Sequence, residues 1–162
     1  MGAFITANLA VLEELAGHLT DFLASLDEDA LNWSPLAVET NSIAALATHI
    51  AGSLDNWFGR AVGEPVRRDR DAEFSARSSA ADLVARIDDA LTTVRRRCRL
   101  LEEIDPATVY RVQRLSRNEV SDLTVAWCVE HAVIHTGEHW GQIQLTRQLY
   151  LDGRRRAEQL SR

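Results

Sequence analysis

Apolar residues recur at spacings of three and four along four long segments of this chain, and this periodicity constrains the fold more than any other feature. Only three prolines occur in 162 residues, so long uninterrupted helices are allowed. We predict helices from about Thr6 to Leu26, from Thr40-Asn41-Ser42 to near Gly63-Glu64-Pro65, from Ser78-Ser79 to Asp105-Pro106, and from Ser121-Asp122 to about Leu151 with a stop at Gly153. Four amphipathic helices around one core indicate an all-α four-helix bundle in a single domain, residues 1–162.

The connections between these helices leave the topology open. The segment between the second and third helices, residues 63–77, has about 15 residues and at about 3.3 Å per extended residue could span a helix of roughly 20 residues. A long crossover that keeps these two helices parallel is therefore allowed, although the length does not demand it. Thr108 to Leu115 alternates weakly between apolar and polar residues, which is compatible with a short extended piece.

Charge and cysteine usage narrow the class of function and the compartment. The formal net charge of −6 argues against nucleic acid as a partner, because such binding needs a concentrated positive field. The run Arg154-Arg155-Arg156 is typical of a solvated C-terminal tail. No apolar stretch approaches the length of a membrane span, and no secretory signal is recognisable, so we expect no membrane partner. Cys98 and Cys128 form no CxxC pair, which favours a reducing, cytoplasmic compartment.

Three of the five histidines, His131, His135 and His139, follow one another at four-residue spacing on the predicted fourth helix. Residues four apart share a helix face and lie about 6 Å apart along the axis, so two such imidazoles can bind one ion. A helical wheel at about 100° per residue centres the apolar face close to His135. Its flanks are formed by Leu123, Trp127, Ile134 and Leu145 on one side and by Val125, Cys128, Ala132 and Ile143 on the other. We therefore expect the histidines to point into the bundle, with Val133 and Trp140 on the far side at an interface.

A third ligand would have to come from another helix, because His131 and His139 are about 12 Å apart along the axis. His49 on the second helix is the candidate, and the small neighbours Ala45 and Ser53 would leave room beside it. Several buried imidazoles need partners, and a metal ion provides them economically. A polar core without metal is the alternative. We expect His131 to support the site rather than bind the ion, and His18 to lie at the surface.

Candidates for further chemistry are few. Glu138 and Gln142 flank the histidine stripe and could orient an imidazole, or could be a partly exposed polar pair. Glu138 and His131 are the only candidates for a catalytic acid or base. Cys128 shares the histidine face, although a buried cysteine usually behaves as a small apolar residue.

Two blocks of this sequence resemble the ligand blocks of the DinB-like (DinB/YfiT) family of metal-dependent four-helix bundles. The first is Asn41-Ser42-Ile43-Ala44 with His49-Ile50-Ala51-Gly52, and the second is His131-Ala132-Val133-Ile134-His135-Thr136-Gly137-Glu138-His139-Trp140-Gly141-Gln142. In the family the second block reads histidine, three residues, histidine, then often Arg-Gly-Gln, so Trp140 stands where many members carry arginine. The resemblance covers about Ala7 to Tyr150.

The resemblance implies an up-down-down-up bundle with a long crossover between helices two and three, often as a homodimer. It implies a metal ion bound by His49, His135 and His139. Family members with known activity are thiol-dependent transferases or isomerases that use low-molecular-weight thiols such as mycothiol or bacillithiol. Zinc or nickel is the expected metal, and iron or manganese would also accept imidazole ligands.

Three functions follow from these residues. Three histidine ligands without a fourth protein ligand leave coordination positions open, as catalytic metals do. The leading prediction is therefore a metal-dependent transferase or hydrolase that acts on a small-molecule substrate, with a low-molecular-weight thiol as a possible co-substrate. The second is a non-catalytic module that holds a metal or ligand in sensing or stress response. The third is a dimerising helical domain whose histidines bind no metal.

Overall fold

The computed structural model describes residues 2–36, 40–64, 66–114 and 119–161. This part of the chain folds into six α-helices and one two-stranded antiparallel sheet. In chain order the elements are α1 (Ala3–Ala24), α2 (Glu28–Asn32), α3 (Ile43–Ala61), α4 (Arg70–Phe74), α5 (Ala80–Leu100), β1 (Val109–Arg114), β2 (Glu119–Thr124) and α6 (Val125–Leu160), and a short 3-10 helix (Leu101–Glu103) follows α5. The predominantly helical prediction is confirmed, with the hairpin as an addition to it.

The four long helices α1, α3, α5 and α6 enclose one hydrophobic core. Helix α3 packs against α5 and α6, and α1 packs against the same two helices. Helix α3 is the most enclosed element, since 16 of its 19 residues are buried, and a side chain at its middle therefore lies in the interior. The up-down-down-up order of helix directions stays a prediction. Among the described residues, no helix is long and apolar enough to cross a membrane.

The predicted helix starts at Ser42 and Ser79 are confirmed by their hydrogen bonds. The Ser42 hydroxyl accepts a hydrogen bond from the Ala45 backbone N–H at 3.1 Å, and Ser79 does the same for Asp82 at 3.2 Å. These side chains satisfy backbone donors that a helix start leaves without an intrahelical partner. Helix α3, which carries His49, is thereby fixed at its first residue.

The predicted limits of the fourth helix are wrong at both ends. Residues 119–124 pair with 109–114 as a hairpin, so Ser121 and Asp122 lie in β2 and Thr124 caps α6 instead. Gly153 does not end the helix, which continues to Leu160. An ion pair one helical turn apart, between Asp152 and Arg156 at 2.8 Å, supports this extension. The three consecutive arginines 154–156 therefore belong to α6 rather than to a tail.

Weak alternation at Thr108 to Leu115 correctly indicates a strand, β1, although Leu115 lies outside the described residues. The short helices α2 and α4 were not predicted from the sequence. Each begins at an aspartate whose side chain accepts a backbone N–H, Asp27 for α2 and Asp69 for α4. Helix α4 lies in the segment that connects α3 to α5 and packs on α3, which gives this polar segment a place in the structure.

The wheel prediction for α6 is rotated from the observed orientation. Ile134 and Leu145, expected to face inward, are 60% and 55% exposed. Trp140, expected at an interface, packs edge-on against Phe22 of α1 with ring centroids 5.1 Å apart, and Val133 also packs on the core. The buried face of α6 consists of Val125, Cys128, Val129, Ala132, Thr136, Ile143, Thr146 and Tyr150. The histidines consequently lie at the edge of this face, beside α3.

Candidate metal centre

Three histidines from two helices converge at the contact between α3 and α6. The Nε2 atom of His135 lies 3.3 Å from Nε2 of His49 and 3.2 Å from Nε2 of His139. One ring nitrogen from each of the three lies within 4.8 Å of the other two, an arrangement that could hold one metal ion. His49 is buried at 1% exposure, whereas His135 and His139 are partly exposed. The structure thus brings together the three residues that the sequence singled out.

The hydrogen-bonding pattern around these rings suits a cation. His49 Nδ1 faces a Glu73 oxygen at 2.9 Å, and His139 Nδ1 faces the Gln142 side-chain oxygen at 2.7 Å. Both oxygens accept hydrogen bonds, which favours in each ring a proton on Nδ1 and a lone pair on Nε2, although Arg68 Nη2 also lies 3.0 Å from His49 Nδ1. Nε2 of His135 faces the Nε2 atoms of both His49 and His139, and if it carried a proton it could donate a hydrogen bond to only one of them. A divalent cation among the three nitrogens would satisfy all of them.

The pKa values of two of the rings also favour metal binding, because they keep the imidazoles neutral. The pKa of His135 is lowered to about 3, chiefly by burial and in smaller part by the neighbouring His139, His49 and His131. Burial also lowers the pKa of His49, and this effect exceeds the opposite effect of Glu73. Both rings are therefore neutral near pH 7, which is the form in which histidine binds metal ions.

His49 has a dense set of neighbours on the side away from the other histidines. Glu73 receives hydrogen bonds from Arg68 Nε at 2.5 Å and Nη2 at 2.6 Å, and Arg68 Nη2 also donates to the His49 carbonyl at 3.2 Å. The Phe74 ring stacks on the imidazole with centroids 4.3 Å apart. Burial alone would raise the pKa of the Glu73 carboxyl, but the bonds from His49 and Arg68 hold it below its usual value. Glu73 is therefore a charged acceptor near pH 7.

Glu73 and Arg68 were missed by the sequence analysis, although one signal for them exists. A Cβ added at Gly52 would overlap Oε1 of Glu73 and lie 2.9 Å from its carboxyl carbon. Gly52 follows His49 by three residues on a helix that is otherwise rich in alanine. A glycine one turn from a buried histidine indicates that another group approaches the helix closely at that point.

The two histidines on α6 are less well supported than His49. Gln142 contacts His139, which is one of the two alternatives that the sequence left open, whereas Glu138 is exposed. The buried His135 Nδ1 has no hydrogen-bond partner within the described part of the chain. The two sides of the group therefore differ in how rigidly they hold their imidazoles.

His131 lies next to the group. Its ring stacks on Trp127 with centroids 4.6 Å apart, meets the edge of Trp57 at 4.6 Å, and lies 5.6 Å from the His135 ring. Cys128 is fully buried, and burial raises its thiol pKa to about 11, so it is an unreactive small apolar residue. His18 is exposed on α1, as predicted.

A cavity of about 580 Å³ lies between the start of α3 and the second half of α6. Gln142, which contacts His139, forms part of its wall, so the cavity adjoins the histidine group. Its apolar lining includes Trp33, Leu36, Leu46, Leu145 and Leu149. The exposed Leu145 that the wheel placed in the core is therefore a wall of this cavity.

Comparison with protein families shows to which family this chain belongs. The sequence profile of the DinB superfamily matches residues 12–143, a range that contains His49, His135 and His139. The chain belongs to the DinB superfamily. A DinB fold agrees with the four long helices and with the position of the histidine group between α3 and α6.

A solved structure of similar fold supports this DinB assignment at the level of architecture. The crystal structure of a conserved protein from Enterococcus faecalis is 14% identical and superposes with a TM-score of 0.72, covering 91% of this chain and 96% of that one. At this identity the likeness shows the fold alone. Comparison with curated proteins finds no match.

Proposed function

We propose that this DinB-superfamily protein is a metal-dependent enzyme in which His49, His135 and His139 bind one divalent ion. The observation that carries the proposal is the convergence of three Nε2 atoms from α3 and α6. Three ligands leave coordination positions for a reactant, which is the pattern of catalytic sites. A divalent ion there would act as a Lewis acid, lowering the pKa of water or of a thiol and polarising a carbonyl.

The reaction that we propose is transfer or hydrolysis of a small molecule, with a low-molecular-weight thiol as co-substrate in the transfer case. The cavity beside Gln142 is the proposed site for the apolar part of the substrate. Its volume of about 580 Å³ lies within the range of small-molecule sites, roughly 300 to 1,000 Å³. Gln142 connects the two features because it lines the cavity and holds His139. Zinc or nickel is the proposed metal, with iron and manganese compatible with the same ligands.

The first test is elemental analysis of untagged protein purified without chelator, beside the His135→Ala/His139→Ala double variant. We expect about one equivalent of a divalent metal in the wild type and none in the double variant. His18→Ala is the matched control, because His18 is exposed on α1, and it should keep the full metal content. Absence of metal from every sample, even after addition of zinc, nickel, iron(II) or manganese, would reject the proposal.

The second test concerns catalysis. Thiol-transfer and hydrolysis assays with the metal found should show activity that His49→Ala abolishes while circular dichroism shows an intact fold. Activity that persists unchanged in His49→Ala would remove the three-histidine site from the reaction. Light scattering on the same samples would test the homodimer that we propose from the family resemblance.

A non-catalytic metal- or ligand-binding module is the second candidate, and one observation favours it. The two candidates for an acid or base are otherwise engaged or distant from the interior, since His131 packs against Trp57 and Trp127 and Glu138 is exposed. Such a module would bind one metal ion with the same ligands and show no turnover in the metal-loaded state with any thiol tested.

A further inference from the structure

We propose that Glu73 is a positioning residue for the metal site, because its carboxylate fixes the tautomer of His49. The Nδ1 proton of His49 would be held by Glu73, so that the Nε2 lone pair points at His135 and His139. This inference rests on the metal site proposed above. Glu73 reaches His49 from α4, 24 residues along the chain, so the segment that connects α3 to α5 becomes part of the site.

The tautomer is not decided by His49 alone, because two opposite groups lie next to its Nδ1 atom. Glu73 Oε2 is 2.9 Å away and Arg68 Nη2 is 3.0 Å away. A carboxylate can only accept a hydrogen bond, and a guanidinium can only donate one. If Arg68 donated to Nδ1, the ring proton would move to Nε2 and the ring could not bind a metal through that atom.

The hydrogens of Arg68 settle this competition. Its Nη2 atom carries two hydrogens. One has an acceptor in Glu73 Oε2 at 2.6 Å, and the other has an acceptor in the His49 backbone carbonyl at 3.2 Å. Each hydrogen therefore has an oxygen acceptor of its own, and the contact with His49 Nδ1 at 3.0 Å could only share one of them. The ring therefore carries its own proton there and donates it to Glu73.

The surroundings hold this geometry in place. The side chains of His49, Glu73 and Arg68 are only 2%, 11% and 12% exposed, and hydrogen bonds in such a low-dielectric environment are strong and costly to break. Gly52 leaves the space that the carboxylate occupies, and Phe74 stacks on the imidazole. A metal-bound histidine whose second nitrogen donates to a carboxylate is held in orientation and is more basic.

Metal binding should also affect the packing of α4 on α3. If Glu73 strengthens metal binding only while α4 is packed on α3, then a bound metal must stabilise that packing by the same factor. Metal addition should therefore slow amide hydrogen exchange in α4 of the wild-type protein. The same addition should slow exchange in α4 less when Glu73 is replaced.

The test is zinc titration of the metal-free full-length protein carrying Glu73→Gln. Glutamine keeps the size of the side chain but lets Arg68 donate to His49, so zinc should bind about 10- to 100-fold more weakly than to wild type. Asp71→Asn is the matched control, since it removes the same charge from an exposed position on the same helix and should leave zinc affinity within about twofold. An affinity of Glu73→Gln within twofold of wild type would overturn the inference.

A second measurement does not depend on metal. Two-bond ¹H–¹⁵N NMR of the metal-free protein should show His49 protonated on Nδ1 in the wild type and shifted toward Nε2 in Glu73→Gln. Arg68→Met removes the competing donor and should keep the Nδ1 proton, which separates orientation from loss of the ion pair. If wild type binds no zinc, the metal proposal fails while this spectrum still decides the tautomer. An unchanged His49 tautomer in Glu73→Gln would reject the role of Glu73.

Discussion

Two arginine–carboxylate clusters contact α3. They differ in the group of α3 that they contact, which is an aspartate in one and a histidine in the other. The α5 cluster consists of Arg96 and Arg97 on α5 with Asp55 and Glu64. The α4 cluster consists of Arg68 and Glu73, the latter on α4, with His49. In the α5 cluster, Arg97 donates to the side chain and carbonyl of Asp55 at 2.6 and 2.7 Å and so ties α5 to α3. The α4 cluster instead contacts the imidazole of His49, which faces His135 and His139.

Solvent exposure shows what each cluster contributes. Arg97 is 7% exposed, but its partners Asp55 and Glu64 are 41% and 39% exposed, so the carboxylates keep much of their hydration. Glu73 and Arg68 are both about nine-tenths buried. Deep burial of an ion pair adds little net stability, because the loss of hydration offsets the attraction. The α5 cluster therefore holds two helices together, whereas the α4 cluster orients a side chain.

The largest effect that separates the clusters is expected for Arg97→Met. The change leaves the Asp55 and Glu64 carboxylates without their shared partner, and it should lower the free energy of unfolding by about 2 to 3 kcal/mol in urea denaturation. Zinc affinity should stay within about twofold of wild type, unlike that of Glu73→Gln. The control is Arg95→Met, because Arg95 pairs with Glu13 at an exposed site and its loss should cost about 1 kcal/mol or less. A fall in zinc affinity for Arg97→Met as large as that for Glu73→Gln would erase the distinction.

Acid should act on the two regions in different pH ranges. The pKa of His135 is lowered from 6.5 to about 3, chiefly by burial, so below pH 6.5 the unfolded chain binds a proton that the folded chain does not. The free energy of unfolding of the metal-free protein should therefore fall as the pH drops from 7, by about 2 kcal/mol at pH 5 for one such group. Hydrogen bonds from Arg96 and Arg97 lower the pKa of Glu64, so the α5 cluster loses stability only below about pH 4.5.

Urea denaturation with a chelator at pH 7, 6 and 5 measures this difference. His135→Phe should remove the part of this loss that comes from His135, since a phenyl ring takes up no proton, and should leave the part that comes from His49, whose pKa burial also lowers. Arg97→Met should keep the same loss, because its cluster does not titrate in that range. Equal pH dependence of wild type and His135→Phe would show that the buried histidine is not the origin.

Sequence spacing is informative about the histidine group because a helix converts a spacing of four into one face. His135 and His139 follow directly from that rule, and His49 follows from the need for a residue on another helix. Glu73 and Arg68 could not be predicted in this way. They lie 24 and 19 residues from His49 in a stretch where opposite charges alternate, and no periodicity tells which of these side chains faces inward.

The fold shows the same limit of local patterns. The four long helices were predicted because each has its own apolar periodicity and two have recognisable caps. The start of α6 was misplaced because β2 forms only through pairing with β1, a contact that local spacing does not encode. The rotation of α6 was wrong because a wheel weights every apolar residue equally, although Ile134 and Leu145 are mostly exposed.

The smallest effects are expected for alanine substitutions at two helical glycines, Gly17 and Gly52. Gly17→Ala on α1 meets no atom within 4 Å and should stabilise the protein by about 1 kcal/mol through higher helix propensity. Gly52→Ala gains the same propensity but places its Cβ against the Glu73 carboxylate, so the gain should be cancelled or reversed by about 1 kcal/mol. Thermal or urea unfolding measures both changes.

Zinc titration of the same two variants tests whether the space beside Gly52 allows Glu73 to contact His49. If it admits the carboxylate to His49, Gly52→Ala should weaken zinc binding severalfold by displacing Glu73, whereas Gly17→Ala should leave it unchanged. Gly52→Ala keeps all three histidines, Glu73 and Arg68, so a loss of affinity would come from geometry rather than from a missing group. Full zinc affinity in Gly52→Ala would instead mean that a displaced Glu73 does not weaken zinc binding. The α4 cluster would then only hold segments of the chain together, as the α5 cluster does.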